Sequence, residues 1–359
     1  MSIQTNYHIF DYIVIGKGLM GAAAARYLSQ MTANVVVLGP DEPKDYASHS
    51  GVFASHYDQG RITRQISKDA LWSALAVRAI DQYAYLQQHS GIRFHEPVGC
   101  LFVAAPDDPY FSRLAKIAAQ FNVDYVSYHS ATARYEAQPQ LQFPETYASF
   151  YEPAPAGYIN PRDLIRAQLK VAAAQGTQQI NELVTAVEST PRGAMVTTAS
   201  GQVYWTRNVL VAAGAFTNVH NLLPQKLPLR VKTETTLLAR LPESEVKRLH
   251  GMPAIIYMVE SAALDSIYLL PPIRYPDGCY YVKLDCNTKQ DQWPTNLQAM
   301  RDWMIAGDSD AAAAEMARAM EAILPKLDAE AFISKRCLVT YTPHGNPFID
   351  QVSDHVYVA

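Results

Sequence analysis

An apolar run, Asp11-Tyr-Ile-Val-Ile-Gly16, opens directly onto Gly16-Lys17-Gly18-Leu19-Met20-Gly21, and this junction limits the fold of the chain more than any other feature. In a Gly-x-Gly-x-x-Gly turn the first glycine permits the sharp bend, the second lets a pyrophosphate approach the backbone, and the third lets the following helix pack close to the strand. The segment Gly18 to Met31 is rich in alanine and leucine and predicts that helix, and a second apolar run from Asn34 to Leu38 completes a β-α-β unit. Neither run alternates polar with apolar residues, as expected of parallel strands covered on both faces. The expectation is an α/β dinucleotide-binding domain, with Gly16, Gly18, Leu19, Met20 and Gly21 around phosphates at the positive end of the helix. An acidic residue usually closes the second strand and binds the ribose. Here Gly39 stands there, and Asp41 is the nearest substitute, in a stretch that reads equally as an ordinary turn, Pro40-Asp-Glu-Pro43.

The chain has 359 residues, and 49% are hydrophobic, so a second core is expected. Thirty Lys+Arg against 34 Asp+Glu leave a net charge of -4, which supplies no basic field for nucleic acid or an anionic membrane. A small molecule is the expected partner. No apolar run approaches the roughly 20 residues of a membrane span, and Met1 to Phe10 lacks the basic start and apolar core of a signal peptide, so the expected location is cytoplasmic. Cys100, Cys279, Cys286 and Cys337 are widely spaced and form no CxxC pair, so neither a metal site nor a disulfide framework is expected.

Beyond the first unit, Ser48-His-Ser-Gly51 and the residues to Ser55 read as loop, and Lys68 to Ser90 as one long helix with apolar residues at helical spacing. Leu101 to Ala104 starts a new unit. From Gly157 the pattern returns to the first domain: a helix from Pro161 to Gln175, strands over Gln179–Val187 and Met195–Thr198, and a buried strand Val209 to Gly214. Val184, Ala213 and Gly214 on these strands are further cofactor-binding candidates. Strands at Ile255–Val259, Ile267–Leu270 and Tyr280–Leu284, with an alanine-rich helix Asp310–Leu324, predict an α+β substrate domain. The expected division is 1–90, 157–222 and 336–359 for the cofactor domain, and 91–156 and 223–335 for the substrate domain.

Three later segments carry a family resemblance. Ser55-His56-Tyr57-Asp-Gln-Gly-Arg61-Ile-Thr-Arg64 resembles the loop of monomeric sarcosine oxidase and N-methyltryptophan oxidase, within the D-amino-acid oxidase superfamily, in which serine, histidine and glycine lead into Arg-x-x-Arg. Lys335-Arg-Cys337-Leu-Val-Thr340-Tyr-Thr342, followed by Phe348-Ile-Asp350, is similar to the segment whose cysteine carries the flavin as an 8α thioether. Tyr280-Tyr-Val-Lys283-Leu resembles the strand whose lysine lies over the flavin. The resemblance implies a Rossmann-like, glutathione-reductase-type FAD-binding domain beside a substrate domain with a mixed or antiparallel sheet. It places Ser55, His56, Tyr57 and Arg61 at the flavin, Arg64 at the substrate carboxylate and Cys337 at the tethering position. Lys283 then promotes reaction of the reduced cofactor with oxygen, and Tyr268 sits at the edge of the substrate pocket.

The chain departs from that pattern in places. Val339 and Asn287 stand where sarcosine oxidase has tyrosine and histidine, and Tyr57 stands where a flavin-side histidine is expected. The family also continues past a strand like Val356–Ala359 with a glycine-rich turn, a lysine and a last helix, which this sequence does not contain. The implied activity is FAD-dependent oxidation of the C–N bond of an amino acid, with a secondary or N-methyl amine preferred, to an imine, with oxygen reduced to hydrogen peroxide. Two alternatives stay open: a flavin dehydrogenase with another acceptor, and a non-catalytic FAD-binding subunit of an amine-oxidising complex.

Overall fold

The computed structural model describes residues 8–259, 261, 263–306 and 310–359, and two large sheets within it line one shared cavity. Residues 1–7, part of the stretch read for a targeting signal, lie outside the described residues. In the first sheet Ile9–Ile15 lies between Val35–Leu38 and Val203–Val211, parallel to both. Gln178–Ile180 extends the sheet beyond Val35–Leu38, and Gly193–Thr198, Val184–Thr190 and Val356–Val358 extend it beyond Val203–Val211. The unalternating runs are explained by two covered faces. Val14 and Val37 pack on Ala25 and Leu169 of the helices Leu19–Leu28 and Pro161–Ala174. Ile13, Ile15, Val36 and Leu38 point the other way, to Val196, Val209 and Leu222. Burying each such side chain contributes roughly 1.5–3 kcal/mol. The two helices are joined by a polar contact as well, for buried Arg26 donates from Nε to Gln168 Oε1 at 2.6 Å.

The second sheet runs Ala331–Tyr341, Arg230–Leu241, Tyr280–Thr288, Leu264–Arg274, Ala254–Tyr257, Cys100–Ala104, Ala148–Glu152, Val126–Tyr128. Its pairs are antiparallel except that between Ala254–Tyr257 and Cys100–Ala104. Leu237, Ala239, Leu269, Val282 and Leu284 form one core with Met316, Met320 and Ile323 of the helix Asp310–Ile323. Because side chains alternate along a strand, Thr236, Tyr268, Lys283 and Asp285 face the opposite side, where the cavity lies. A third sheet of Arg61–Thr63, Gly157–Ile159 and His95–Glu96 fixes the Arg61 segment.

Several expected boundaries shift. Lys68–Ser90 is two helices, Ala70–Ile80 and Tyr83–Ser90, because each half packs on a different partner. Tyr83 and Leu86 enter a core with Phe94 and Leu164, whereas Ala70–Ile80 lies against the helix Pro109–Phe121. Gln179–Val187 is likewise two strands, Gln178–Ile180 and Val184–Thr190, at opposite ends of the first sheet. A helix the reading did not anticipate, Leu297–Ala306, lays Met300, Trp303 and Met304 against Leu338. The junction expected at 335/336 falls inside Ala331–Tyr341, which pairs with Arg230–Leu241 without interruption from Ala331 to Tyr341. The chain rejoins the first sheet only afterwards, at Asp350–Ser353 and Val356–Val358.

Candidate active site

The glycine turn forms one end of the cavity. Gly16 has φ +106°, and a Cβ there would run into the Ala212 carbonyl oxygen, while a Cβ on Gly21 would run into the carbonyl oxygen of Gly16. Gly18 is different: a Cβ there would meet only His56 Nδ1, 4.0 Å away, so its missing side chain keeps room on the cavity side. Gly18 caps the helix Leu19–Leu28 in extended conformation with no side chain accepting from its first amides, which leaves donors at a positive helix end. Leu19, Met20, Val184, Ala213 and Gly214 also line the cavity. Gly21 does not, and its part is the close packing of helix on turn. Asp41 also lies outside the lining. Its carboxylate is engaged by Lys17 Nζ at 2.6 Å and by Asn181. The acidic residue of this turn that reaches the cavity is Glu42, which Arg162 grips with two hydrogen bonds of 2.7 and 2.6 Å.

The loop after Glu42 supplies the middle of the wall. Ser55, His56, Tyr57, Asp58 and Arg61 all line it. Arg61 is steadied by donating from Nη2 to the Ser55 carbonyl at 2.5 Å. His56 Nδ1 is buried without a hydrogen-bond partner, and burial drives this imidazole down to about 4, so the ring is neutral. An unpartnered ring nitrogen beside the open side of Gly18 is a ready contact for a polar ligand group.

The inner face of the second sheet supplies the far wall. Lys283 is 3% exposed, donates to the Gly60 carbonyl at 3.0 Å, and ion-pairs with Asp58 and with Asp285 Oδ2, the latter at 3.0 Å. Asp285 Oδ2 lacks the alignment of a hydrogen bond, while its Oδ1 accepts from Thr236 Oγ1. Burial alone would lower the Lys283 ammonium, but Asp285 and Asp58 outweigh it and hold it well above the usual lysine value. The ring of Tyr268 lies 5.2 Å from Lys283 Nζ, in cation–π range. Tyr275 donates to Asp58 at 2.8 Å. Cys337 stands directly across the ladder from Glu234, and burial pushes its thiol up to about 11.

Arg64 lines the cavity, its guanidinium carbon 5.7 Å from the centre of the Phe102 ring, with its Nε buried and without a hydrogen-bond partner. Its backbone is held from behind: buried Glu152 accepts from the amides of Gln65 at 2.7 Å and Ile66 at 3.0 Å. A planar cation so placed can present its fork to a carboxylate.

The structure thus brings all the expected site residues to one cavity except Gly21 and Asp41. It adds Asp58, Asp285 and Glu234, which the sequence reading passed over. Asp285 follows Lys283 by two residues and so shares its face, a signal present in the sequence. Asp58 carried none, because its partner is distant in the chain. The cavity measures about 1110 Å³, above the roughly 300–1,000 Å³ of most ligand sites. Among the described residues no group of three or more His, Cys, Asp and Glu could hold a metal ion, and no helix is long and apolar enough to cross a membrane.

A mixed sheet with a parallel centre and a glycine turn at a helix end, opening into a large cavity shared with a second sheet, defines a dinucleotide-binding protein. The chain belongs to the FAD dependent oxidoreductase family (DAO), whose pattern matches residues 11–359. It is 28% identical over 217 residues to N-methyl-L-tryptophan oxidase of Yersinia pestis (strain Pestoides F) and of Yersinia pseudotuberculosis serotype O:1b (strain IP 31758). Those matches cover 60% of this chain and 56% of each relative, so the chain spans about half the length of the curated relatives it matches. Among solved structures, the open form of NikD, an unusual amino acid oxidase, superposes with a TM-score of 0.75 at 19% identity, covering 98% of this chain and 88% of that one. L-proline dehydrogenase from P. horikoshii gives 0.73 at 18%, with the same coverage. At such identities these structures establish the fold alone.

Proposed function

We propose that this protein oxidises the C–N bond of an amino acid, preferring a secondary or N-methyl amine, to the imine, with oxygen as the final acceptor and hydrogen peroxide as its product. The observation that supports this most is that a single cavity is lined by a helix-end glycine turn, by Arg64, whose buried Nε has no hydrogen-bond partner, and by buried Lys283. FAD, when bound, accepts the hydride. The amides at Gly18–Met20 would hold its phosphates, the neutral His56 would face the same region, and Val184, Ala213 and Gly214 would form the wall around it. Arg64 would take the substrate carboxylate and so fix the reacting carbon, and Tyr268 would help keep water out. Arg61 would stand at the flavin, Lys283 would supply positive charge where oxygen is reduced, and Cys337 would form the thioether. The division into a cofactor domain and a substrate domain would follow the two large sheets, and the location would be cytoplasmic, where free cysteines stay reduced.

The test is a visible spectrum of the purified protein followed by anaerobic addition of sarcosine, other N-methyl amino acids and proline. Bleaching of a flavin spectrum is the expected result, and a protein that neither carries nor takes up FAD would sink the reading. One observation favours a dehydrogenase instead: Lys283 is paired with two carboxylates, which offsets the charge that would favour oxygen. Reduction of an artificial dye without oxygen uptake would select that second reading.

A further inference from the structure

We propose that Glu234 is the group that receives the substrate's amine, pairing with its ammonium form and accepting its proton, and this rests on the amine-oxidising reading above. The strand Arg230–Leu241 sets Glu234 opposite Cys337, Thr236 opposite both Asp285 and Lys335, and Leu238 opposite Lys283. Residues opposed in an antiparallel pair, and those two apart on one strand, share a face. Glu234 is therefore on the same wall as Cys337 and Lys283, and all three line the cavity.

Three carboxylates occupy this part of the wall, and two are committed. Asp58 and Asp285 both pair with Lys283. Glu234 is held differently. Lys232 reaches its Oε2 at 3.2 Å, but the same ammonium also serves Asp291 Oδ2 at 2.7 Å and Asn287 Oδ1 at 2.5 Å, and Lys232 does not line the cavity. Lys232, two residues back on the same face and shared with Asp291, leaves Glu234 under-compensated on its cavity side, where a second cation would complete it.

The groups facing Glu234 are Lys232 on its own strand, Lys283 and Asp285 on Tyr280–Thr288, Tyr268 on Leu264–Arg274, and Cys337 and Tyr341 on Ala331–Tyr341, while Cys286 lies on the opposite face of the sheet. Asp291 acts through Lys232. Burial and then Asp285 raise the Glu234 carboxyl to about 7, against the opposing pull of Lys232 and Lys283. An acid poised near neutrality in a cleft suits proton transfer. The step is balanced: an R₂NH₂⁺ ammonium and the Glu234 carboxylate become R₂NH and the Glu234 carboxylic acid, with no electron moved. Neutral amine then has the lone pair needed for hydride release.

The test uses the FAD-loaded protein and reads perturbation of the flavin absorption by two unreactive carboxylates, trimethylglycine, which is cationic, and (methylthio)acetate, which is neutral at sulfur. Wild-type affinity for trimethylglycine is expected to rise with pH through about 7, where Glu234 ionises. E234Q should weaken trimethylglycine about tenfold or more and flatten that profile, with (methylthio)acetate within about twofold, and E234D should restore part of the difference. Equal loss of both ligands in E234Q, or a wild-type profile without the rise, overturns the proposal. If E234Q does not fold, the wild-type profile and E234D decide. Bleaching by an N-methyl amino acid, measured first on the same sample, keeps the two claims apart: bleaching with a wrong ligand pattern removes Glu234 alone, whereas no bleaching removes the oxidation reading and this proposal with it.

Discussion

Lys283 and Asp58 meet as an ion pair on the cavity wall, one from the second sheet and the other from the loop that follows the glycine turn's domain edge. Removing one partner of a buried pair leaves the other uncompensated, at about 3–5 kcal/mol. Lys283→Met is therefore expected to lower urea stability by about that amount, since both Asp58 and Asp285 lose their cation. The pH window follows from the shifts. Burial would raise Asp58, but Lys283 holds it below its usual 3.8, so its contribution is present above that value and fades as pH falls through its folded value. Lys283 is raised above 10.5, so its contribution fades only as pH climbs past that point. A Lys283→Met protein that matched wild type at pH 7 would contradict the pairing.

Arg64→Ala should raise KM for a carboxylate-bearing amine far more than for a neutral amine of the same shape, by about 10- to 100-fold for loss of a charged hydrogen-bond fork. Equal changes for both substrates would remove Arg64 from the substrate site.

Glu152 offers a separate pH test. Burial raises its carboxyl to about 7, in spite of the amides of Gln65 and Ile66 and the charge of Arg64. A raised acid favours the folded state below its unfolded value of 4.5, and that benefit is lost as pH rises through 7. The wild type should lose up to about 2–3 kcal/mol from this group across that interval. Glu152→Gln should lack that part of the slope in a series of Tm measurements, so its stability relative to wild type should rise between pH 4.5 and about 7. Identical slopes would show that Glu152 does not titrate there.

Two alanine substitutions in the glycine turn should behave differently. Gly21→Ala puts a methyl into the Gly16 carbonyl and is expected to lower Tm and abolish FAD binding together. Gly18→Ala meets only His56 Nδ1 at 4.0 Å, so the fold should hold while FAD affinity falls by about tenfold or more, measured by flavin fluorescence titration.

Cys337→Ala should move flavin from the acid-precipitated pellet to the supernatant, if Cys337 carries it. Flavin already in the supernatant for wild type would instead mean a noncovalent cofactor.

How much of this was readable in advance depended on range. The glycine turn and its flanking strands were legible because their signals lie within about thirty residues, where spacing alone sets the geometry. Arg61, Arg64, Lys283 and Cys337 were nominated by the resemblance of their segments to a known family, and all four line the cavity. The split of Lys68–Ser90 was not legible, because helical periodicity does not say which neighbour each turn will meet. Charged residues on Lys232-Thr-Glu234-Thr-Thr236 alternate like an exposed strand, yet they face inward, since only the packing of Leu237 and Ala239 on Met316 and Met320 decides the sides. Asp41 looked like the ribose acid by position, but Lys17 and Asn181 engage it.

The hydrogen bond from Lys283 to Gly60 joins residues 223 apart in the chain. On a ribosome adding about 5–20 residues per second, that separation is roughly 10–45 s of synthesis. Through that interval the segment with Asp58 emerges without its cation, and the long strands that will supply it are made later. When they arrive, Lys232, Lys283 and Asp285 are to be buried, with Glu234 on the same face. Inward-pointing charges discourage a half-built sheet from joining its neighbours. The residues that shape the chamber also guard the chain while it is being made.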